Sequence, residues 1–315
     1  MASGAGHTAG MIHPTLRFAA WFTEHTNRPV ERLSPAQARA QLRNLVHFTG
    51  RLLMGPRVSG VSVVDRRIAG VGARVYRPSQ QPVATVVYFH GGGWVVGDLD
   101  THDGVCRSLA QATGAVVIAT DYRLAPEHAF PAAYDDARAV TQAVITQSAA
   151  LGLPTGPVAV AGDSAGGNLA AAVALHAREH GWPLRAQLLI YPVLDAAAES
   201  ASYQRFASGY FLTRESMRYY IGSYLPQPAD RARPEASPLR AASLSGVAPA
   251  LVITAEADVL RDEALAYVAA LRRDGVAVQH IDAAGMLHGF FNLQSLHTPR
   301  AVLQQAAQWL SESLA

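Results

Sequence analysis

One pentapeptide constrains the fold of this chain more than any other feature: residues 162–166 read Gly-Asp-Ser-Ala-Gly. An apolar run, residues 158–161, precedes it, and a helix-forming run, residues 168–176, follows it. A Gly-x-Ser-x-Gly sequence between a buried strand and a helix is typical of a strained turn that holds the serine above a sheet, where helix N–H groups point at its side chain. The pattern therefore predicts a strand, a tight turn that exposes Ser164, and a helix, although a glycine-rich turn can also be purely structural.

A second glycine-rich segment ends another apolar run. Residues 85–89 lead into His90-Gly91-Gly92-Gly93-Trp94. Loops of this kind supply backbone N–H donors to an oxyanion hole, the group of donors that stabilises negative charge in acyl transfer. We therefore expect the amides of Gly92, Gly93 and Ala165, the residue after the serine, to form such a hole.

Neighbouring residues are predicted to support these two segments. His90 begins the glycine loop, so we interpret its side chain, together with Gly91, as holding the loop in shape rather than transferring protons. Asp163 stands beside Ser164 and is interpreted as a hydrogen-bonding group. Trp94 has two interpretations that remain open, as a wall of the acyl pocket or as a core residue.

Composition excludes several classes of protein. The chain has 315 residues, of which 50% are hydrophobic and 16% charged, which is enough to bury a large core. The net charge of +2 comes from scattered arginines, so no nucleic-acid partner is expected. The single cysteine, Cys106, excludes an intrachain disulfide, and no Cys/His cluster has zinc spacing. No metal or cofactor is predicted.

Targeting signals are also missing from the sequence. No apolar run reaches the ~18 residues that a membrane-spanning helix needs. Residues 1–7 have neither the basic region nor the apolar core of an export signal. These observations predict no membrane span and a cytoplasmic location.

From about residue 59, short β-branched runs alternate with longer helical ones, which indicates crossover helices and a mostly parallel sheet. Residues 65–70 resemble a hairpin connection, so an antiparallel start to the sheet is expected. The predicted fold is therefore α/β, with a mostly parallel eight-stranded sheet flanked by helices. The eight strand candidates are residues 61–64, 73–76, 84–89, 115–119, 158–161, 188–190, 251–254 and 276–281.

Two segments fall outside this alternation. Residues 1–55 are helical in pattern from residue 11 onward, and residues 1–10 are predicted to be a flexible tail. Residues 199–235 form an aromatic-rich insertion. We predict that both segments build a helical cap over the carboxyl edge of the strands, with residues 56–198 and 236–315 forming the catalytic domain. The alternative is an N-terminal helical pair on the flank of the sheet, and unchanged ester turnover without residues 1–50 would favour it.

The insertion is also expected to shape the substrate pocket. Aromatic residues in a helical insertion between two strands need a surface to cover, and the carboxyl edge of the sheet is where ligands bind in open α/β folds. The predicted pocket residues are Trp94, Phe206, Tyr210, Phe211 and Leu212.

A serine hydroxyl needs a base to remove its proton, and the base needs a third group to fix its tautomer. On a strand–turn–helix serine, the order along the chain is Ser, then Asp or Glu, then His. Asp258 follows the seventh strand candidate and His288 the eighth, so Ser164, Asp258 and His288 are the predicted triad.

Other histidines and acids compete for these roles. His280 lies inside a strand candidate and His297 in a later polar segment. Asp262 and Glu263 open a helical run, so we assign them to the N-terminus of that helix.

Three motifs in order carry a family resemblance: His90-Gly91-Gly92-Gly93-Trp94, residues 121–127 (Asp-Tyr-Arg-Leu-Ala-Pro-Glu), and Gly-Asp-Ser-Ala-Gly-Gly-Asn from residue 162. The chain resembles the bacterial hormone-sensitive-lipase-like esterases, family IV of the α/β-hydrolase superfamily, from about residue 60 onward. The resemblance implies an α/β-hydrolase fold with a helical cap, the triad and oxyanion hole named above, and hydrolysis of short to medium acyl esters. It also raises the possibility of a homodimer. Val259 and Ala129 stand where the family commonly has proline.

The leading hypothesis is a carboxylesterase that acts on a small-molecule ester through an acyl-enzyme intermediate. An amidase or formamidase on the same triad is an alternative. A non-enzymatic receptor, as in the plant gibberellin receptors, is a further alternative, but those receptors lack the catalytic histidine that is present here. Covalent labelling of Ser164 by a fluorophosphonate separates the receptor from the hydrolases.

Overall fold

A computed structural model of the chain describes residues 12–54 and 58–315, so the tail predicted at residues 1–10 lies outside the described residues. The strands are β1 (Val61–Ile68), β2 (Val71–Pro78), β3 (Thr85–Phe89), β4 (Val116–Asp121), β5 (Val158–Asp163), β6 (Leu184–Ile190), β7 (Ala250–Ala257) and β8 (Val278–Leu287). The α-helices are α1 (Pro14–Thr26), α2 (Pro35–Leu53), α3 (Asp103–Thr113), α4 (Ala132–Thr146), α5 (Ala165–Glu179), α6 (Ala201–Arg205), α7 (Arg214–Tyr224), α8 (Arg261–Arg273) and α9 (His297–Ser313).

Within the described residues, the eight strands form one sheet in the order β1-β2-β4-β3-β5-β6-β7-β8. β2 pairs antiparallel with both β1 and β4, and the remaining pairs are parallel. The prediction of a mostly parallel eight-stranded sheet with an antiparallel start is confirmed.

The strand bounds differ from prediction at both edges of the sheet. β1 continues through the polar residues 65–67, which were predicted to be a connection, because an edge strand can keep its backbone pairing to β2 while its side chains face solvent. The turn is only Ala69-Gly70, both with positive φ. β8 continues to Leu287, which pairs with Ala257, although its small residues gave no strand signal.

The core occupies both faces of the sheet. Along β3, Val87 and Phe89 belong to one buried cluster and Val86 and Tyr88 to another, as the alternation of side chains in a strand requires. Helices α4, α5 and α8 contribute to the first cluster, and α3 and α9 to the second. Both faces of the central strands are therefore covered, which explains their continuous apolar sequences.

The ends of three strands define one edge of the molecule. Ser164 directly follows β5, Asp258 directly follows β7, and His288 directly follows β8. Because these strands are parallel, their carboxyl ends lie on the same edge of the sheet, where ligands bind in open α/β folds. Among the described residues, no helix is both long enough and apolar enough to cross a bilayer.

Candidate active site

The turn at Ser164 has the strained backbone that its sequence predicts. Ser164 lies between the end of β5 and the start of α5, with φ 57° and ψ −118°. A non-glycine residue in such a region costs about 1–3 kcal/mol and persists only where its surroundings hold it. Here the Ser164 N–H donates to the carbonyl of Ile190 at 2.8 Å, and the Ser164 carbonyl accepts from the N–H of Asn168 at 3.0 Å. The strain is therefore fixed by backbone bonds to β6 and α5.

The two glycines of the turn are required by close backbone contacts. A Cβ atom on Gly166 would lie 1.9 Å from the carbonyl oxygen of Phe89, and one on Gly162 would lie 2.3 Å from the oxygen of Gly166. No side chain fits at these distances. The start of α5 therefore packs directly on the chain that leads from β3 into the glycine loop.

The three predicted triad side chains form one hydrogen-bonded chain. His288 Nε2 lies 2.9 Å from Ser164 Oγ, and His288 Nδ1 lies 2.7 Å from Asp258 Oδ2. A carboxylate can only accept, so Nδ1 carries the proton and the Nε2 lone pair is free to accept the serine proton. Asp258 is 1% exposed, and its other oxygen accepts the N–H of Leu260 at 3.0 Å. The histidine is thus held in the tautomer that a base requires.

The competing residues lie elsewhere. His280 Nε2 bonds to Thr254 Oγ1 within the sheet, and His297 begins α9. Asp262 and Glu263 lie in the first turn of α8, as predicted, but the buried Glu263 carboxyl accepts the N–H of Leu194 at 2.7 Å. Burial raises the pKa of Glu263 well above its usual range, although this backbone bond acts to lower it.

The glycine loop lies against the serine turn. Gly92 and Gly93 have φ of 119° and 60°, conformations that glycine adopts without strain. The N–H of Gly91 donates to Asp163 Oδ1 at 2.9 Å, which ties the loop to the residue before the serine. Ala165 is the first residue of α5, where an N–H has no partner within the helix. These positions fit the predicted oxyanion donors.

The side chains of His90 and Asp163 hold the glycine loop through hydrogen bonds to Gly91. His90 Nδ1 bonds to the Gly91 carbonyl at 2.8 Å, and its ring stacks on Tyr122 with centroids 4.3 Å apart. Burial, followed by the nearby His102 ring, lowers the pKa of His90 to about 4, so this ring is neutral. Asp163 also accepts the hydroxyl of Tyr88 at 2.7 Å. Both side chains therefore have the structural surroundings that the sequence predicted for supporting groups.

Comparison with known proteins places this geometry in a family. The family model of the α/β hydrolase fold matches residues 86–292, which is most of the chain. The chain belongs to the α/β-hydrolase family. The resemblance to its hormone-sensitive-lipase-like branch and the predicted fold class are confirmed.

Similar proteins have been characterised in sequence and in structure. The chain is 42% identical over 245 residues to ethyl acetate hydrolase of Pseudomonas putida, covering 76% of this chain and 77% of that one. It is 44% identical over 254 residues to carboxylic ester hydrolase LipN of Mycobacterium tuberculosis, covering 77% and 67%. The crystal structure of a thermostable esterase from Pseudomonas putida superposes with a TM-score of 0.91 at 38% identity, covering 99% of both chains.

The structure also brings to this α/β-hydrolase site residues that the sequence did not single out. The Tyr191 ring lies 4.5 Å from the His288 ring, and the Tyr220 ring occupies the space beside Gly93, where a Cβ atom would lie 2.2 Å from its Cγ. Tyr191 has no local sequence signal, whereas Tyr220 was expected near the site only as one of the aromatic residues of the insertion. The positive φ of Tyr191, 35°, is visible only in the structure.

One residue of the N-terminal segment reaches the glycine loop. Arg39 on α2 donates Nε to the Val95 carbonyl at 2.8 Å and Nη2 to the Ala125 carbonyl at 3.0 Å, and it pairs with Glu127 at 2.6 Å. The planar guanidinium suits this arrangement because it has five donors in a fixed fork. Arg39 therefore links α2 to two loops of the sheet domain.

The predicted pocket residues divide into two groups. Trp94 is fully buried and stacks on Tyr224 with centroids 4.6 Å apart, so the structure corrects its inclusion among the pocket residues and supports the core interpretation. Phe211 is 46% exposed, and its Cε1 lies 3.6 Å from where a Cβ on Gly289 would stand, beside His288. The other predicted pocket residues are close to Phe211 in the sequence. Phe206 and Tyr210 are in edge-to-face contact at 5.1 Å, and Leu212 packs against the core.

Proposed function

We propose that this chain is a carboxylesterase that hydrolyses short- to medium-chain acyl esters through an acyl-enzyme on Ser164. The observation that carries the proposal is the chain of hydrogen bonds from Ser164 through His288 to Asp258, at 2.9 and 2.7 Å. Esterases at about 40% identity support carboxylic ester hydrolysis as the activity, and one of them is an ethyl acetate hydrolase.

The first half of the reaction forms the acyl-enzyme. Ser164 Oγ attacks the ester carbonyl carbon while His288 Nε2 takes the hydroxyl proton. The carbonyl oxygen becomes an oxyanion that accepts hydrogen bonds from the amides of Gly92, Gly93 and Ala165. When the bond to the alcohol oxygen breaks, His288 returns its proton to that oxygen and the alcohol leaves.

The second half repeats these roles with water. His288 takes a proton from water, the hydroxyl oxygen attacks the acyl carbon, and the same three amides hold the second oxyanion. The carboxylic acid leaves as His288 protonates Ser164 Oγ. Asp258 stays ionised and stabilises the imidazolium that forms in each half.

The predicted helical cap is part of this proposal. In this proposal the N-terminal helices α1 and α2 and the insertion, residues 199–235, cover the site and limit the acyl chain. Arg39 contacts Val95, directly after the glycine loop, and Tyr220 contacts Gly93. Both contacts favour the cap rather than the alternative of a helical pair on the flank of the sheet. Phe211, exposed beside His288, is the residue best placed to contact the substrate.

The test is hydrolysis of p-nitrophenyl esters from acetate to palmitate by the wild type and by Ser164→Ala. We expect turnover that peaks at short or medium chains and falls by at least ~10³-fold in the variant. Equal turnover by both proteins would overturn the role of Ser164. Serine-dependent turnover of the matching anilides at a rate equal to the esters would favour the amidase. Absence of turnover of either substrate, together with no fluorophosphonate labelling of Ser164, would favour the receptor.

A further inference from the structure

A buried pair of side chains beneath the glycine loop has no role in the reaction as described. His102 Nε2 lies 3.3 Å from Asp163 Oδ2, and the two residues are 6% and 3% exposed. His102 directly precedes α3, and Asp163 directly precedes Ser164. The pair therefore joins the segment after the glycine loop to the serine turn.

The partners of His102 Nδ1 determine which groups donate. This nitrogen lies 2.9 Å from Thr101 Oγ1. The Thr101 hydroxyl donates its only hydrogen to the Asp98 carbonyl at 2.8 Å, because a carbonyl can only accept. Thr101 Oγ1 therefore accepts the hydrogen bond from His102, and His102 Nδ1 carries a proton.

The partners of Asp163 determine whether the other ring nitrogen, His102 Nε2, carries a proton. Asp163 Oδ1 already accepts the N–H of Gly91 at 2.9 Å and the hydroxyl of Tyr88 at 2.7 Å. Two such donors stabilise a carboxylate, and a carboxylate accepts at its second oxygen as well. His102 Nε2 must then donate, so both ring nitrogens carry protons.

We infer that His102 is an imidazolium, paired with an ionised Asp163, and that this buried ion pair is a positioning device for the oxyanion loop. The cation keeps Asp163 charged in a site from which water is excluded, and the charged carboxylate fixes the Gly91 N–H. Gly91 leads directly into Gly92 and Gly93, whose amides bind the oxyanion in the proposed function. The expected effect on catalysis rests on that proposed function, whereas the number of protons on the His102 ring does not.

The surrounding groups are consistent with one positive charge. His90 lies 5.5 Å from His102 between ring centroids and is neutral, and Tyr88 lies 6.4 Å away. The Asp98 carboxylate acts to raise the pKa of His102. The Cys106 N–H donates to the His102 carbonyl, and burial raises the pKa of the Cys106 thiol well above its usual range.

These influences shift the pKa values of His102 and Asp163 in opposite directions. Burial is the largest influence on His102 and acts to lower its pKa, but the charge and hydrogen bond of Asp163 together with Asp98 outweigh it, so the pKa is raised. Burial is also the largest influence on Asp163 and acts to raise its pKa, but His102 together with the hydrogen bond from Tyr88 and the nearby His90 outweighs it, so the pKa is lowered. A raised histidine pKa means that the stability contributed by the charged ring is present below the ordinary histidine pKa and is lost as the pH rises through the folded value.

The direct test is nitrogen NMR of the protein labelled with ¹⁵N-histidine. At pH 7.5, above the ordinary histidine pKa of about 6.5, we expect one ring with two protonated nitrogens, and this ring is absent from His102→Gln. If that variant does not fold, Thr101→Val assigns the ring by shifting only its Nδ1 signal. A His102 ring with a lone pair on Nε2 at that pH would overturn the inference, whether or not the enzyme is active.

The positioning role predicts a separate change in kinetics. In His102→Gln, we expect kcat to fall about tenfold with little change in KM, which is less than the ~10²–10³ typical of losing an oxyanion donor itself. The wild type should show an alkaline decline in kcat that this variant lacks. His128→Gln, at an exposed histidine, is the matched control. Identical pH profiles for wild type and His102→Gln would reject the positioning role.

Discussion

At the scale of single residues, the backbone contact at Gly166 makes the sharpest prediction. An alanine there would place Cβ 1.9 Å from the Phe89 carbonyl oxygen, so the serine turn must move relative to the glycine loop. Displacements of about 1 Å in a catalytic site can cost ~10²-fold in rate. We expect Gly166→Ala to lose at least about that factor in kcat/KM.

Gly104→Ala is the matched control, since Gly104 also lies in the first turn of a helix and a Cβ there meets no atom within 4 Å. We expect unchanged activity and a stability gain of no more than ~1 kcal/mol, measured by thermal unfolding. Equal activity of the two variants would contradict the close packing of the turn.

Residues with local signals were predictable, and those defined by distant contacts were not. Ser164, Asp258 and His288 each stand just past an apolar run, and the structure brings them within hydrogen-bond distance; their catalytic roles stay a proposal. His102 has no such signal, because its contact with Asp163 joins residues that are 61 positions apart in the chain. Trp94 shows the opposite problem, since an aromatic residue beside a glycine loop suits a pocket and a core equally well.

At the scale of secondary structure elements, Arg39 joins α2 to the loops of the sheet domain. Lysine keeps the charge but has a single ammonium group, which cannot reproduce the four hydrogen bonds that the guanidinium makes to its three partners. We expect Arg39→Lys to lower kcat/KM about tenfold, equivalent to one or two net hydrogen bonds. Limited proteolysis should then cleave earlier within residues 12–54.

The control for Arg39 lies one turn along the same helix. Arg43 is 56% exposed on its side chain, and its Nε lies 3.7 Å from Asp98 Oδ2. Exposed pairs of this kind contribute little, so Arg43→Lys should behave as the wild type. An equal decrease in kcat/KM in both variants would show that activity responds to any substitution on this face of α2. The specific link through Arg39 would then be rejected.

Elements with continuous apolar sequence were predicted well because burial on both faces leaves a strong signal. The edge strand β1 was predicted too short, since its polar residues 65–67 pair through the backbone and leave no apolar pattern. β8 was also predicted too short, because pairing with β7 carries it past small residues to Leu287. The end of β8 matters for the site, since it places His288 directly after the strand.

At the scale of the whole molecule, Glu263 links stability to pH. Its folded pKa is raised by burial, so the folded protein holds a proton that the unfolded chain releases above pH ~4.3. The stability that depends on this proton is present at low pH and is lost as the pH rises. Glu263→Gln keeps an acceptor for the Leu194 N–H and does not titrate, so its Tm relative to the wild type should rise between pH 4 and pH 8.

Glu215→Gln is the comparison for Glu263, because the Glu215 side chain is 62% exposed. Its Tm difference from the wild type should change little over the same range of pH. Thermal unfolding followed by circular dichroism measures both variants. A Glu263→Gln difference that stays constant with pH would contradict the protonated, buried carboxyl.

The central claim is that His288 activates Ser164 as a nucleophile, and covalent labelling tests it most directly. Intact-protein and peptide mass spectrometry after treatment with a fluorophosphonate should find one adduct, on the peptide that contains Ser164. Labelling of His288→Ala should be slower by at least ~10³-fold. An adduct on another residue, or equal labelling rates in the two proteins, would contradict the account.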